Sequence, residues 1–133
     1  MSTIFPVKIL LFSADPTLVR VVTSCMKEAR FKTVNVSQGS GALDVIRVEK
    51  PALIILDMLL PDYSSLAIIR RLRNENHNGR IPVILIGETM REEDALIGLE
   101  VGADLCLLEA FHPQVFVARV RSLLRRRVST RVH

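Results

Sequence analysis

Several features that would point directly to a function are scarce or absent in this sequence. Its 133 residues include only two cysteines, Cys25 and Cys106, and neither has a CxxC partner or a nearby histidine. We therefore expect both to be reduced core residues. No apolar run is long enough to span a bilayer, and Lys8 interrupts the N-terminal apolar segment where a secretion signal would need to be uncharged. These absences predict a single cytoplasmic globular domain.

Catalytic and nucleic-acid signals are equally sparse. The three histidines, His77, His112 and His133, have no serine or cysteine nucleophile evidently aligned with them, so we predict that the chain is not an enzyme. The net charge of +4 comes from a C-terminal arginine cluster (Arg119, Arg121, Arg125, Arg126, Arg127 and Arg131). Because no aromatic or glycine-rich context accompanies these arginines, a solvated helix end with a linker is favoured over a nucleic-acid contact.

One stretch, residues 52–61, organises the rest of the chain. Its apolar residues lead directly to Asp57, and Pro61 follows four residues later. A short apolar run of this kind is typical of a strand buried on both faces. Asp57 would then lie at the carboxyl end of that strand, where binding sites collect in open α/β sheets.

Strand and helix patterns alternate five times along the chain. Strands are predicted at 7–12, 31–36, 52–57, 81–86 and 104–108, and each is followed by apolar residues at helical spacing. Asp15 and Pro16 are predicted to begin the first helix, and Gly102 to end the fourth. Such alternation predicts a parallel sheet covered by helices on both faces, a flavodoxin-like (βα)5 fold with strand order 2-1-3-4-5. This order places Ser13, Ala14 and Asp15 beside Asp57, with Gly87 and Glu109 on its other side.

The chain resembles the receiver domain of bacterial two-component response regulators. The matching segments, in order and at the expected spacing, are residues 8–16, 56–61, 81–85 and 98–104. The resemblance covers residues 6–127, which we take as a receiver domain within 1–127, with 128–133 as a basic tail or the start of a linker. Residues 118–126 resemble the end of the receiver in the OmpR/PhoB-like subfamily, where a winged-helix DNA-binding domain follows. We expect either a stand-alone receiver or part of a longer regulator.

The resemblance implies that Asp57 is the phosphoacceptor position, but it also exposes departures around it. Family members carry two acidic residues after the first strand, which hold Mg²⁺, and this chain has Ser13 and Ala14 there, while Asp15 is one residue too late. The phosphate-binding Thr or Ser after the fourth strand is replaced by Gly87. With one dependable carboxylate left, we expect no cofactor, or weak Mg²⁺ binding at most.

Three further departures lie on the fifth strand and the loop that follows it. The family's phosphate-pairing lysine is replaced by Glu109, and the proline after it by Ala110, so we expect a trans peptide bond between them. The aromatic residue that moves on activation is replaced by Cys106. The resemblance therefore implies a receiver in which both the phosphorylation site and the residue that moves on activation are altered.

The surface formed by the fourth helix, the fifth strand and the fifth helix keeps more of the family's character. In the winged-helix subfamily it forms a twofold dimer, which has to be self-complementary. The residues at the corresponding positions here are Ala95, Leu99, Glu100, Asp104, Leu105, Val115, Ala118, Arg119 and Arg126. Apolar residues at Ala95, Leu105 and Val115 stand where ion pairs or acidic partners are usual, and such replacements are often neutral or stabilising.

Three hypotheses follow. The favoured one is an atypical receiver that acts as a regulatory dimerisation or protein-interaction module, largely independently of phosphorylation at Asp57. Any DNA contact would be made only through an output domain outside this chain. The second is a divergent but working phosphoacceptor that takes phosphate from a histidine kinase. The third is a small-ligand binder of flavodoxin-like fold, which is disfavoured because no phosphate-cradling glycine motif is present. Gly39 and Gly41 are predicted to lie at the opposite end of the sheet from Asp57.

Overall fold

The computed structural model describes residues 7–75, 80–108 and 112–132, with side chains to residue 126. Five strands and five helices alternate along these residues. Their bounds are β1 Lys8–Phe12, α1 Pro16–Glu28, β2 Lys32–Val36, α2 Ala42–Glu49, β3 Leu53–Asp57, α3 Ser65–Asn74, β4 Val83–Ile86, α4 Glu92–Val101, β5 Leu105–Leu107 and α5 Pro113–Val132. The predicted elements are therefore all present, with ends that differ by one or two residues in most cases.

The five strands are parallel, in the order β2-β1-β3-β4-β5, which confirms the predicted sheet. The central strand β3 is buried at every residue, as its continuous apolar sequence predicts. Two apolar clusters lie on opposite faces of the sheet. One contains Val22 and Met26 of α1 with Phe116 of α5, and the other contains Ile46 of α2 and Ile69 of α3. The result is a three-layer α/β/α arrangement.

Local capping chemistry explains where the helices begin. Asp15 accepts a hydrogen bond from the backbone N–H of Thr17 at 3.0 Å, and Pro16 occupies the first turn, as predicted. Ser64 caps α3 by accepting from the N–H of Ala67 at 3.2 Å. Each cap satisfies an amide that has no partner within its helix.

Helix α4 begins at Glu92, two residues later than its apolar pattern suggested. Met90 is buried and its N–H donates to the carbonyl of Gly87, so this residue belongs to the turn after β4. Arg91 is the N-cap residue of the helix, and its N–H donates to the Asp94 carboxylate at 3.1 Å. The predicted strand from 104 to 108 is likewise shorter, because the Asp104 carboxylate accepts from the N–H of Val83 on the neighbouring strand.

Two sequence-based predictions, a domain boundary and the position of a loop, have different outcomes in the structure. Helix α5 continues to Val132, so it crosses the predicted boundary after residue 127 without a break, and that boundary stays a prediction. The predicted position of Gly39 and Gly41 is wrong. They follow β2, and all five strands are parallel, so these glycines lie at the same carboxyl edge as Asp57.

Among the described residues, no helix combines the length and the apolar character needed to cross a bilayer.

Candidate functional site

Asp57 ends β3 at the carboxyl edge of the sheet, where the strand order places three loops together. Pairing of Phe12 with Leu56 sets Ser13 beside Asp57 on one side. Pairing of Asp57 with Ile86 sets Gly87 on the other side. The predicted gathering of Ser13, Asp57 and Gly87 is therefore confirmed.

The Asp57 carboxyl is almost fully buried and both of its oxygens have partners within the chain. The Ser13 hydroxyl donates to Oδ2 at 2.7 Å, and the backbone N–H of Leu59 donates to Oδ1 at 2.9 Å. Ser13 is itself fully buried, and its Oγ accepts from the N–H of Asp15 at 3.1 Å. Burial of a charged or polar group is tolerated when such hydrogen bonds are made. Ser13 thus has a direct structural role that its position in the sequence did not reveal.

A second serine, Ser65, fixes the main chain at the same place. It is the first residue of α3, it is buried, and its hydroxyl donates to the carbonyl oxygen of Asp57. The sequence identified Ser64 and Ser65 only as candidates for the start of this helix. The contact joins the N-terminus of α3 to the end of β3 and orients the loop that carries Leu59.

The two other residues of the segment after β1 differ from Ser13 in their surroundings. Ala14 and Asp15 are exposed, and the Asp15 carboxylate caps α1. Within the described residues, no group of three or more His, Cys, Asp or Glu side chains is arranged to hold a metal ion. Mg²⁺ prefers hard oxygen ligands in octahedral geometry, and weak Mg²⁺ binding at most stays an expectation for this site.

Gly87 is buried against two methionines. A Cβ atom added at Gly87 would lie 3.0 Å from Cβ of Met58 and 3.4 Å from Cε of Met90. A serine or threonine at this position would require Met58 to shift by a few tenths of an ångström. Thr89, two residues further along, is exposed and borders the cavity beside Asp57.

Cys106 lies on β5 between the sheet and α4. Its Sγ donates to the carbonyl oxygen of Ala95 at 3.5 Å, and a Cβ added at Gly98 would lie 3.1 Å from that sulfur. Helix α4 therefore lies close to the sheet at the point where Gly98 faces Cys106. Burial raises the pKa of the thiols of both Cys106 and Cys25, which keeps them protonated and less reactive. Both cysteines are free, as predicted. Glu109 and Ala110 lie outside the described residues.

The loops after β2 and β3 are joined by a carboxylate. Asp62 accepts from the N–H of Gly39 at 2.8 Å and from the N–H of Ser40 at 3.0 Å. The bond from Gly39, and to a smaller extent the bond from Ser40, holds the pKa of the Asp62 carboxyl below its usual value. A Cβ at Gly39 would lie 2.7 Å from Cβ of Tyr63, so the close approach of the two loops requires glycine.

The residues of the predicted dimer surface have mixed environments. Leu99, Glu100, Val115, Ala118, Arg119 and Arg126 are exposed, whereas Ala95, Asp104 and Leu105 are half-buried. The Asp104 carboxylate bonds the Arg73 guanidinium at 2.9 Å within the same chain. Two apolar residues of α4 that the sequence did not single out, Leu96 and Ile97, are also exposed.

Comparisons with known proteins agree with this geometry. Residues 9–121 match the family model described as the response regulator receiver domain. The chain is 34% identical over 119 residues to the DNA-binding response regulator MtrA of Mycolicibacterium smegmatis, covering 90% of this chain and 51% of MtrA. It is 32% identical over 119 residues to the transcriptional regulatory protein BaeR of Escherichia coli, covering 90% of this chain and 48% of BaeR.

A solved structure gives the same picture. The BeF3-activated N-terminal receiver domain of Klebsiella pneumoniae RstA superposes with a TM-score of 0.81 at 29% identity, covering 89% of this chain and 98% of that one. This chain belongs to the response regulator receiver domain family, the class of protein that functions in two-component signalling. It spans about half the length of the curated relatives it matches.

Proposed function

We propose that this chain is an atypical receiver whose regulatory state is set by dimerisation or partner binding, largely independently of phosphorylation at Asp57. The proposal rests on one observation: both oxygens of the Asp57 carboxyl accept hydrogen bonds from groups within the chain. Ser13, which stands where the family has an acidic residue, donates to one oxygen at 2.7 Å, and the N–H of Leu59 donates to the other at 2.9 Å. The carboxyl is thus held by neutral donors within the chain.

Phosphoryl transfer depends mainly on positioning and on neutralising the negative charge of the transferred group. The chain offers Ser13 and Ala14 in place of metal-binding carboxylates, Gly87 in place of a hydroxyl, and Glu109 in place of a lysine. A phosphoryl group on Asp57 would therefore gain few of the contacts that would stabilise it. We infer that a phosphoryl group on Asp57 would be held too weakly to accumulate or to favour one conformational state over another.

The alternative is a divergent phosphoacceptor that takes phosphate on Asp57 from a histidine kinase. One observation favours it: the Asp57 side chain borders an open cavity, with Thr89 on the same lining. In this alternative Thr89 would supply the hydroxyl that Gly87 lacks.

Intact-mass spectrometry separates the two possibilities. The chain is incubated with Mg²⁺ and acetyl phosphate, alongside the Asp57→Asn variant as control. We expect no phosphoryl adduct on either protein. A labile adduct that appears on the unmodified chain and is missing from Asp57→Asn would establish the divergent phosphoacceptor and refute our proposal.

The proposed dimer surface is defined by α4, β5 and α5. Leu96, Leu99 and Val115 are 60%, 47% and 50% exposed, although each is apolar. Clustered exposed apolar side chains of this kind mark protein interfaces. Glu100 and Arg119 are exposed and opposite in charge, which suits a twofold contact because each copy supplies both partners. Asp104 is engaged with Arg73, so we expect it to support β5 rather than to pair across the dimer.

Sedimentation velocity over a concentration series tests this surface. We expect the unphosphorylated chain to dimerise, and Leu99→Glu to raise the dimer dissociation constant at least about tenfold, because two like charges would face each other near the twofold axis. Val48→Glu is the matched control, since Val48 is 78% exposed on α2, away from this surface. A monomeric chain, or equal effects of the two variants, would refute the dimer.

The cellular setting is also a proposal. The names of MtrA and BaeR describe them as a DNA-binding response regulator and a transcriptional regulatory protein. We infer that this chain acts in the cytoplasm in transcription regulation, with any DNA contact made through an output domain rather than by the receiver.

A further inference from the structure

An apolar cavity of about 220 Å³ opens beside Asp57. Its walls come from three separate elements: Leu18 and Val21 of α1, Leu59 of the loop after β3, and Ile86 of β4. Val21 and Leu59 are 38% and 65% exposed, so apolar surface extends from the cavity to the rim. Ligand pockets are in general lined mostly by apolar side chains with a few polar groups, and this cavity has that composition.

The polar groups of the lining have one sign of charge. Asp15 and Glu88 are exposed carboxylates, and Asp57 lies at the cavity with its oxygens bonded to Ser13 and Leu59. Among the described residues that line the cavity, none carries a positive charge. Only one oxygen of Asp15 is used in capping α1. Apolar walls with an acidic rim form a site that complements a ligand with an apolar body and a cationic group.

We propose that this cavity binds a small organic amine, with the apolar body between Leu18, Val21 and Leu59 and the ammonium group near Asp15 and Glu88. The apolar walls exclude a bare metal ion as the preferred occupant, and the carboxylates disfavour phosphate and other anions. A volume of about 220 Å³ is below the usual range of drug-sized pockets, so the ligand is small. The proposal does not depend on dimerisation or on the state of Asp57.

The first experiment compares three probes that share a phenyl ring and differ in charge. Phenethylamine, 2-phenylethanol and phenylacetate are titrated into ¹⁵N-labelled chain at neutral pH, and amide shifts are followed by NMR. We expect saturable shifts at Val21, Leu59 and Thr89, with affinity falling from the amine to the alcohol to the acid. Added salt should weaken amine binding, because the rim charges are exposed. Absence of saturable shifts, or equal affinity for amine and alcohol, would overturn the proposal.

The second experiment tests the rim. The double variant Asp15→Asn and Glu88→Gln removes two charges while keeping similar shape, and asparagine still caps a helix. We expect its affinity for phenethylamine to fall about threefold to tenfold. Glu28→Gln is the matched control, because Glu28 is exposed at the other end of α1, and its affinity should be unchanged.

The outcomes separate this proposal from the proposed function. Equal amine affinity in the double variant and in the chain itself would overturn the role of the rim. Amine binding by a chain that proves monomeric would support the cavity proposal while refuting the dimer. A dimer that does not bind the amine would do the reverse.

Discussion

Each edge of the sheet holds one ionisable side chain away from most of the solvent, Asp57 buried and Arg73 half-buried, and the two are stabilised differently. At the carboxyl edge, Asp57 is bonded by the hydroxyl of Ser13 and an amide N–H. At the amino edge, Arg73 of α3 donates to the carbonyl oxygens of Gly102 and Ile81 and to the carboxylate of Asp104, at 2.8–2.9 Å. Within the described residues, the hydrogen-bond partners of the Asp57 carboxyl are neutral, whereas Arg73 has an oppositely charged partner.

This difference predicts which edge depends more strongly on the contacts of one side chain. Burial lowers the pKa of Arg73, with Arg80 adding to the effect, and Asp104 opposes both. The guanidinium joins α3, β4 and the end of α4, so its loss would leave several groups without partners. Gly102 has a positive φ of 127°, and an added Cβ there would lie 2.6 Å from Arg73 Cγ. Substitutions at Arg73 or Gly102 should therefore be costly, because they would break these contacts or force a side chain into Arg73.

Removal of Arg73 should produce the largest effect. Arg73→Ala leaves Asp104 half-buried without its main cation, and we expect a loss of about 3–5 kcal/mol in the free energy of unfolding, measured by urea denaturation. Arg80→Ala is the matched control. Its side chain is 63% exposed and lies 3.4 Å from the same Asp104, so its loss should cost less than about 1 kcal/mol. Similar losses for the two variants would show that the amino edge is not held by a buried pair.

Removal of the Ser13 hydroxyl should have an intermediate effect at the other edge. Ser13→Ala takes away one donor to Asp57 and the acceptor for the N–H of Asp15, and we expect a loss of about 1–3 kcal/mol. Ser37→Ala, at an exposed serine of the loop after β2, should change stability by less than about 0.5 kcal/mol. If Ser13→Ala is as stable as the unmodified chain, the Ser13 hydroxyl does not hold the Asp57 carboxyl.

The smallest effect concerns the pH dependence of the Asp62 contact. Its folded pKa is lowered, chiefly by the Gly39 N–H, so its contribution is present above the unfolded value of about 3.9 and is lost as pH falls through the lower folded value. Urea denaturation of the chain and of Asp62→Asn should therefore differ more at about pH 6 than at about pH 2.5. A difference that grows toward acid pH would contradict this account.

The fold could be predicted because its signals are local. The buried run ending at Asp57, the Asp15–Pro16 start and the Gly102 stop each act through neighbouring residues. Together they define the strand–helix alternation that predicts a parallel sheet, and the order 2-1-3-4-5 is that of flavodoxin-like folds. The prediction failed where a distant contact decides. Met90 carries a helical pattern but is held in a turn by Gly87. The edge predicted for the loop with Gly39 is wrong because β2 and β3 are parallel, so both strands end at the same edge of the sheet.

The site was predicted in outline and missed in detail. Asp57, Ser13 and Gly87 were correctly placed together, but Ser13 and Ser65 were not recognised as partners of Asp57. A hydrogen bond between residues 44 positions apart leaves no periodic trace in a sequence. The apolar cavity was missed for the same reason, since Leu18, Leu59 and Ile86 come from three separate elements.

The sequence by itself determined the order of elements, the parallel sheet and the position of Asp57, because hydrophobic periodicity and capping are properties of neighbouring residues. Only the tertiary structure decided how the Asp57 carboxyl is satisfied, how close α4 lies to Cys106, and where apolar and acidic side chains enclose a cavity. These depend on distances between residues far apart in the chain, which are fixed only when the helices pack against the sheet.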